Sequence, residues 1–135
     1  MTRSVNIGEK EIGDGRPCYI VAEIGINHGG NVDMAKRLID SASRTGVDSV
    51  KFQTYITDKR VSNDSPIFDI LKQCELPFET FEDLKYHAEQ QGMEFFSTPF
   101  DDESVECLNE IGVNLFKLAS FVVVNNKFLH RIAAT

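Results

Sequence analysis

Gly46-Val-Asp-Ser-Val-Lys-Phe-Gln-Thr54 places a glycine behind a helix-like stretch, then a short apolar run, then polar side chains where that run gives out. The same phrase returns as Gly92-Met-Glu-Phe-Phe-Ser97 and Gly112-Val-Asn-Leu-Phe-Lys117, each with a polar residue five places after its glycine. Glycine takes the left-handed conformation just past a helix without a Cβ penalty, and a buried strand shows as a brief apolar run. Three copies of one helix-to-strand joint therefore follow one another. Because side chains alternate along a strand, equal strand starts would put Lys51, Ser97 and Lys117 in one phase.

Upstream of this unit, Tyr19-Ile-Val-Ala-Glu-Ile-Gly25 reads as a first strand. Asn31 reads as the cap of a helix to about Thr45 whose apolar face uses Met34, Ala35, Leu38, Ile39 and Ala42. Ser49 to Tyr55 is the second strand. Residues 56–77 exceed an ordinary connection and carry a helical stretch, Ile67 to Cys74, so they read as a binding loop or lid. Thr80-Phe-Glu-Asp83 resembles an acidic capping box and opens a helix to about Gln91. Glu94 to Thr98 is strand three, Asp101 or Asp102 starts a helix to Ile111, and Leu115 to Ser120 is strand four. Asn125 or Asn126 caps a last helix running to Thr135, which shows no stop signal.

Ahead of all this, Val5-Asn-Ile-Gly-Glu-Lys-Glu-Ile12 predicts a small hairpin, dividing the chain into a 1–16 extension and a 17–135 body. In a barrel, the hairpin would cap the bottom. Alternating β and α units imply parallel strands with right-handed crossovers. Four such units are half of a (β/α)8 TIM barrel of ~250 residues, so the chain is expected to be the truncated first half of one.

Composition narrows the function classes. The 135 residues are 41% hydrophobic with four prolines, ordinary for a globular domain. No apolar stretch approaches the ~20 residues of a membrane span, and the first ten residues lack a secretion signal's apolar core; a cytoplasmic location is expected. Cys18, Cys74 and Cys107 are odd in number and widely spaced, which argues against a disulfide framework or a zinc site. All three read as core or near-core residues. The net charge of -7 argues against nucleic-acid binding but leaves room for a small anion held by local lysines.

Parallel α/β folds bind ligands at the carboxyl ends of their strands, where Glu23, Asn27, His28, Gln53, Thr54, Thr98 and Ser120 fall. Lys51 and Lys117 are the sharpest signals. A lysine in an apolar strand is desolvated unless an anion or a carboxylate meets it, so either a ligand or an ion pair with Glu23 accounts for them. Glu23, in turn, either pairs with a lysine or handles a proton or hydroxyl. Ser97, Thr98 and Ser120 offer hydroxyls to an anion or to nearby backbone. Gly29-Gly30 before a helix matches no phosphate-loop fingerprint. His28, His87 and His130 lack metal-ligand spacing, and only His28 sits in a site loop. The Asp101-Asp102-Glu103 run reads as solvent-facing charge at a helix start.

Taken together, Ala22-Glu-Ile-Gly-Ile-Asn-His-Gly-Gly30, Lys51-Phe-Gln-Thr54, Ser97-Thr-Pro-Phe-Asp101 and Lys117-Leu-Ala-Ser120 resemble the amino-terminal half of the sialic acid synthase family, whose products include N-acetylneuraminic, legionaminic and pseudaminic acids. The match runs from about Val5 to the end and includes Leu71 to Glu79. The resemblance implies a (β/α)8 barrel followed by a small antifreeze-like domain. It also implies condensation of phosphoenolpyruvate with an N-acetylmannosamine-type sugar, a divalent metal (Mn or Mg) acting on the sugar aldehyde, and a homodimer. By motif position, Lys51, Thr98, Lys117 and Ser120 would hold phosphoenolpyruvate, Glu23 and Gln53 would meet the sugar, with Glu23 as the catalytic carboxylate, and Asn27 and His28 would line the substrate site.

Two departures stand out. The family carries a carboxylate two residues after the Lys-x-x-Ser serine, thought to help the water or proton step, where this chain has Val122. The family's paired metal histidines also have no counterpart before Thr135, so the chain alone is expected to give no turnover, and a half-barrel would expose two sheet edges and an apolar inner face, so it is expected to self-associate. The rival readings are another phosphoenolpyruvate-dependent synthase of 3-deoxy sugar acids and a non-catalytic half-barrel that binds an anion or a partner.

Overall fold

A computed structural model describes residues 3–135; residues 1 and 2 of the expected amino-terminal extension lie outside that range. Strands β1 (Ser4–Ile7) and β2 (Lys10–Gly13) form an antiparallel hairpin. The main sheet is parallel, in the order β3 (Val21–Gly25), β4 (Ser49–Thr54) and β5 (Glu94–Pro99). Helix α1 (Val32–Ser43) links the first pair of strands. Two short helices, α2 (Thr57–Arg60) and α3 (Phe68–Cys74), precede α4 (Thr80–Glu89), which returns the chain to β5. Helix α5 (Asp102–Glu110), a 3₁₀ turn (Ser120–Val124) and α6 (Asn126–Ala133) complete the chain.

The three glycines that punctuate the sequence adopt left-handed conformations, with φ of 73° at Gly46, 74° at Gly92 and 70° at Gly112. One sheet face is apolar. Ile24, Val50, Phe52 and Phe95 meet Ala35, Ile39 and Ala42 of α1, Phe81, Leu84 and Ala88 of α4, and Leu108 of α5. Burying each large side chain contributes about 1.5–3 kcal/mol, so this face holds the fold together. Phe52 and Phe95 stack across neighbouring strands with centroids 5.3 Å apart. Met34, expected on the buried stripe of α1, is instead exposed, at its rim.

The hairpin lies at the amino ends of β4 and β5. Lys10 pairs with Asp48, which also accepts from the Ile20 N–H at 2.5 Å, and Gly8 packs against the Glu94 carboxylate. Tyr19 and Ile20 stand outside β3, which starts at Val21.

Several expected elements differ from the reading of the sequence. Leu115 to Ser120 is not a full strand. Phe116 makes a single parallel bridge to Ser97, and the Lys117 N–H reaches the Ser97 carbonyl at 3.1 Å. The chain then turns because Ala119 and Val122 pack into a second apolar cluster with Val105 and Phe128. Thr80 caps nothing: α4 follows Glu79 without a side-chain cap, and the Thr80 hydroxyl donates to the Pro77 carbonyl. Cys18 is exposed, while Cys74 and Cys107 are half-buried. Among the described residues, no helix is long and apolar enough to cross a membrane.

Candidate functional site

Register fixes which side chains share the face opposite the apolar core. Glu23, Lys51 and Phe96 lie level across β3, β4 and β5, and Gln53 lies level with Thr98 two residues further along. Ser97 is in register with Phe52, on the helix-covered side, so it does not share the phase of Lys51. There its hydroxyl pairs with Thr54 Oγ1 at 2.7 Å. The strand starts are offset: Ser49, three residues after Gly46, aligns with Glu94, two residues after Gly92. Phe116 sides with Ser97 and packs against the apolar core, which returns Lys117 to the face of Lys51.

Lys51 is 4% exposed, and its Nζ lies 2.7 Å from Glu23 Oε1. Burial pushes its ammonium below the ordinary lysine range; Glu23 works against that shift, and the charges of Lys117 and Arg60 add to it. A buried lysine beside two further cations and one exposed carboxylate concentrates positive charge on this face of the sheet. Lys117 and Ser120 are exposed at its edge. Thr98 is 1% exposed, and its hydroxyl finds no partner among the described residues. An unpaired buried hydroxyl is costly, and this one shares the face of Gln53.

The structure does not bring every candidate to this face. His28 is buried against Phe52, ring centroids 5.8 Å apart, with Nδ1 accepting from the Gly30 N–H at 3.1 Å. Burial lowers its pKa below the ordinary imidazole value, so it is a neutral core ring rather than a neighbour of Lys51. Asn27 is exposed in the turn after β3, its N–H held by the Ile24 carbonyl. Asp101 faces inward instead of toward solvent: it caps α5 through the Ser104 N–H and accepts from the Ile56 N–H, each at 2.8 Å. Glu103 pairs with Lys59.

Gly30 of the Gly29-Gly30 pair serves packing. A Cβ on Gly30 would lie 2.0 Å from the Gln73 carbonyl oxygen, where the long connection presses on the β3 to α1 turn. That connection is tied down elsewhere as well: Tyr55 donates to the Leu71 carbonyl at 2.8 Å and Glu75 accepts from the Thr57 N–H at 2.7 Å. It also delivers a residue that the sequence reading missed. Arg60 lies over the rings of Tyr55 at 4.5 Å and Phe100 at 3.8 Å and donates to Gln53 Oε1 at 2.9 Å. Its one signal in the sequence was an arginine six residues beyond a strand that ends in polar groups.

Among the described residues, no group of three or more His, Cys, Asp or Glu side chains is placed to hold a metal ion. Chemically, the arrangement is a strand-end cup with two lysines, an arginine, an amide and hydroxyls facing one carboxylate. Such a set of donors suits a small anion.

Comparison with known proteins places the chain in a family. A family model described as the NeuB family matches residues 38–135. An uncharacterised protein of Methanocaldococcus jannaschii is 39% identical over 131 residues, covering 97% of this chain and 39% of that protein. The N,N'-diacetyllegionaminic acid synthase of Campylobacter jejuni is 36% identical over 128 residues, covering 84% of this chain and 38% of the enzyme. The crystal structure of the N-acetylneuraminic acid synthetase of Leptospira borgpetersenii, in complex with citrate, superposes with a TM-score of 0.94 at 34% identity, over 99% of this chain and 47% of that one. The chain therefore spans less than half the length of each of these relatives.

Proposed function

The chain belongs to the NeuB family, and from that premise we propose that its strand-end cup serves phosphoenolpyruvate-dependent synthesis of a nonulosonic acid. In this reading the chain supplies the first four βα units of a (β/α)8 barrel. Support comes from the parallel order β3, β4, β5 and the Phe116 bridge that continues it. The observation that carries the function is Lys51: a buried ammonium within a parallel strand, two residues before Gln53 and sharing its face with Lys117 and Thr98.

Lys51, Lys117, Thr98 and Ser120 hold the carboxylate and phosphate of phosphoenolpyruvate, while Gln53 and Glu23 meet an N-acetylmannosamine-type sugar. The enol carbon C3 attacks the sugar aldehyde carbon, and the aldehyde oxygen takes up a proton as the new C–C bond forms. C2 becomes an oxocarbenium, a water adds to it and loses a proton, and the tetrahedral intermediate collapses to the ketone with expulsion of inorganic phosphate. Lysine charge next to the phosphate and carboxylate stabilises these anions. Glu23 is assigned the proton exchange, supported by its being the carboxylate paired with Lys51, at 2.7 Å through Oε1. Val122 cannot do so and packs with Val105 and Phe128.

The divalent metal, Mn or Mg, that the family resemblance implies finds no donor set among the described residues, and no step above passes through one. A homodimer working in the cytoplasm completes the proposal.

Calorimetric titration with phosphoenolpyruvate tests the assignment. The expected result is saturable binding that weakens at least tenfold in Lys51→Gln and in Lys117→Gln; unchanged affinity in both variants would refute it. Phosphate release measured over a panel of N-acetylated hexosamines and plain aldoses then separates this reading from a synthase of 3-deoxy sugar acids.

A further inference from the structure

Most cationic side chains of this acidic chain lie in ion pairs, and those outside pairs are exposed: Arg3, Arg37, Arg44, Lys117 and Lys127. Arg60 is the exception. It is half-buried, yet makes no ion pair among the described residues. Desolvating a guanidinium without a counter-ion is costly, and cation–π contact with two rings offsets only part of that cost.

The contacts that Arg60 does make define what is left over. Tyr55 and Phe100 cover the flat faces of the guanidinium, and Gln53 Oε1 accepts one N–H of Nη1. A guanidinium has five donors in its plane, and a planar fork matches carboxylate and phosphate oxygens. Phe100 itself stacks on Phe121 at 5.8 Å and meets Tyr55 edge-on at 6.1 Å, so the cradle is braced from β4, from the end of β5 and from the residue after Ser120. Thr98, level with Gln53, contributes a buried hydroxyl with no partner. An orphaned hydroxyl and an unpaired guanidinium thus stand on either side of one amide.

We propose that Arg60 is a ligand-binding residue of this site, presenting its edge N–H groups to a phosphate or carboxylate oxygen while Tyr55 and Phe100 hold its plane. The proposal rests on the reading that the strand-end cup is the ligand site. It adds that the cup recognises a second anionic group beyond the one that Lys51 and Lys117 hold, carried either by phosphoenolpyruvate or by an acidic sugar.

Three probes separate these sources: phosphoenolpyruvate, N-acetylmannosamine 6-phosphate and neutral N-acetylmannosamine, each titrated into wild type, Arg60→Gln, Arg60→Lys and Lys51→Gln. Arg60→Gln is expected to weaken at least one anionic probe about tenfold or more while leaving the neutral sugar unchanged. Arg60→Lys, which keeps the charge but loses the fork, falls between. Loss confined to phosphoenolpyruvate assigns the anion to that substrate, and loss confined to the sugar phosphate makes the sugar acidic.

Unchanged affinity for both anions in Arg60→Gln overturns the proposal while leaving the lysine assignment standing, provided that Lys51→Gln still weakens phosphoenolpyruvate. An equal loss for the neutral sugar also overturns it, because Arg60 would then act only by orienting Gln53. Absence of any anion binding by wild type removes both readings. Should Arg60→Gln fail to fold, the side-chain Nε–Hε resonance of Arg60 in wild type decides: a saturable shift with an anion and none with the neutral sugar is expected, and no shift overturns the proposal.

Discussion

At the residue scale, Lys51 exchanges stability for charge. Its ammonium is desolvated by burial and faced by a single exposed carboxylate. Lys51→Met keeps the apolar stem and removes the charge, so it is expected to raise stability by about 1 kcal/mol at neutral pH while abolishing measurable phosphoenolpyruvate binding. The pH dependence follows from the depressed pKa of Lys51. The unfolded chain keeps this proton to higher pH than the folded chain does, so unfolding takes up a proton in that window and stability rises with pH. The wild-type penalty is full below the folded pKa and vanishes above the ordinary lysine value. Urea melts of the two proteins should therefore converge as pH rises through that alkaline window; a constant gap would contradict the assignment.

Lys51 and Lys117 were legible in the sequence because an ammonium inside an apolar run is anomalous under any register. Ser97 was misplaced because a one-residue offset between strand starts reverses the face. Arg60 was invisible because its role depends on Phe100, forty residues away in sequence.

At the scale of elements, the helix-to-strand joints were legible because glycine after a helix reports a backbone conformation that other residues avoid. Helix α2 was not: at four residues it is shorter than any periodicity can reveal. The fourth strand was over-read because Leu115 to Ser120 has strand-like composition, whereas Ala119 and Val122 are drawn into a cluster with α5 and α6. Two pairs of glycine and cap variants test how the long connection is anchored. Gly30→Ala, with φ of 77° and a carbonyl 2.0 Å from the new Cβ, is expected to cost about 3 kcal/mol. Gly29→Ala, with φ of 58° and open space around it, should cost about 1 kcal/mol. Equal losses in denaturant melts would mean that the connection does not press on this turn. Asp101→Ala strips acceptors from the Ile56 and Ser104 N–H groups and is expected to cost about 2–3 kcal/mol, whereas Asp102→Ala at the exposed neighbour should change stability by less than about 0.5 kcal/mol.

At the scale of the whole molecule, the parallel α/β architecture was readable from the alternation of units, and the hairpin from its Gly-containing turn. The shape of the site face was not, because register decides it. That face also leaves apolar surface open. Exposed Ile20 precedes the outer strand β3 and exposed Val21 opens it, and Phe121, Val123 and Val124 are 62%, 51% and 83% exposed. An uncovered strand edge next to apolar surface favours association, so light scattering at micromolar concentration should give a mass above that of the monomer, and Phe121→Ser with Val124→Ser should lower it. A wild-type monomer under those conditions would count against this expectation.

The claim on which the rest depends is that Lys51 and Lys117 form the floor of a phosphoenolpyruvate site. The most direct measurement is nuclear magnetic resonance of ¹⁵N-lysine-labelled protein during a phosphoenolpyruvate titration. Saturable one-to-one shifts of the Lys51 and Lys117 ammonium signals, each assigned by its loss in the corresponding methionine variant, are predicted, with exposed lysines such as Lys10 and Lys127 unmoved. Small, unsaturable shifts spread evenly over all the lysines would show that the cup is not a phosphoenolpyruvate site.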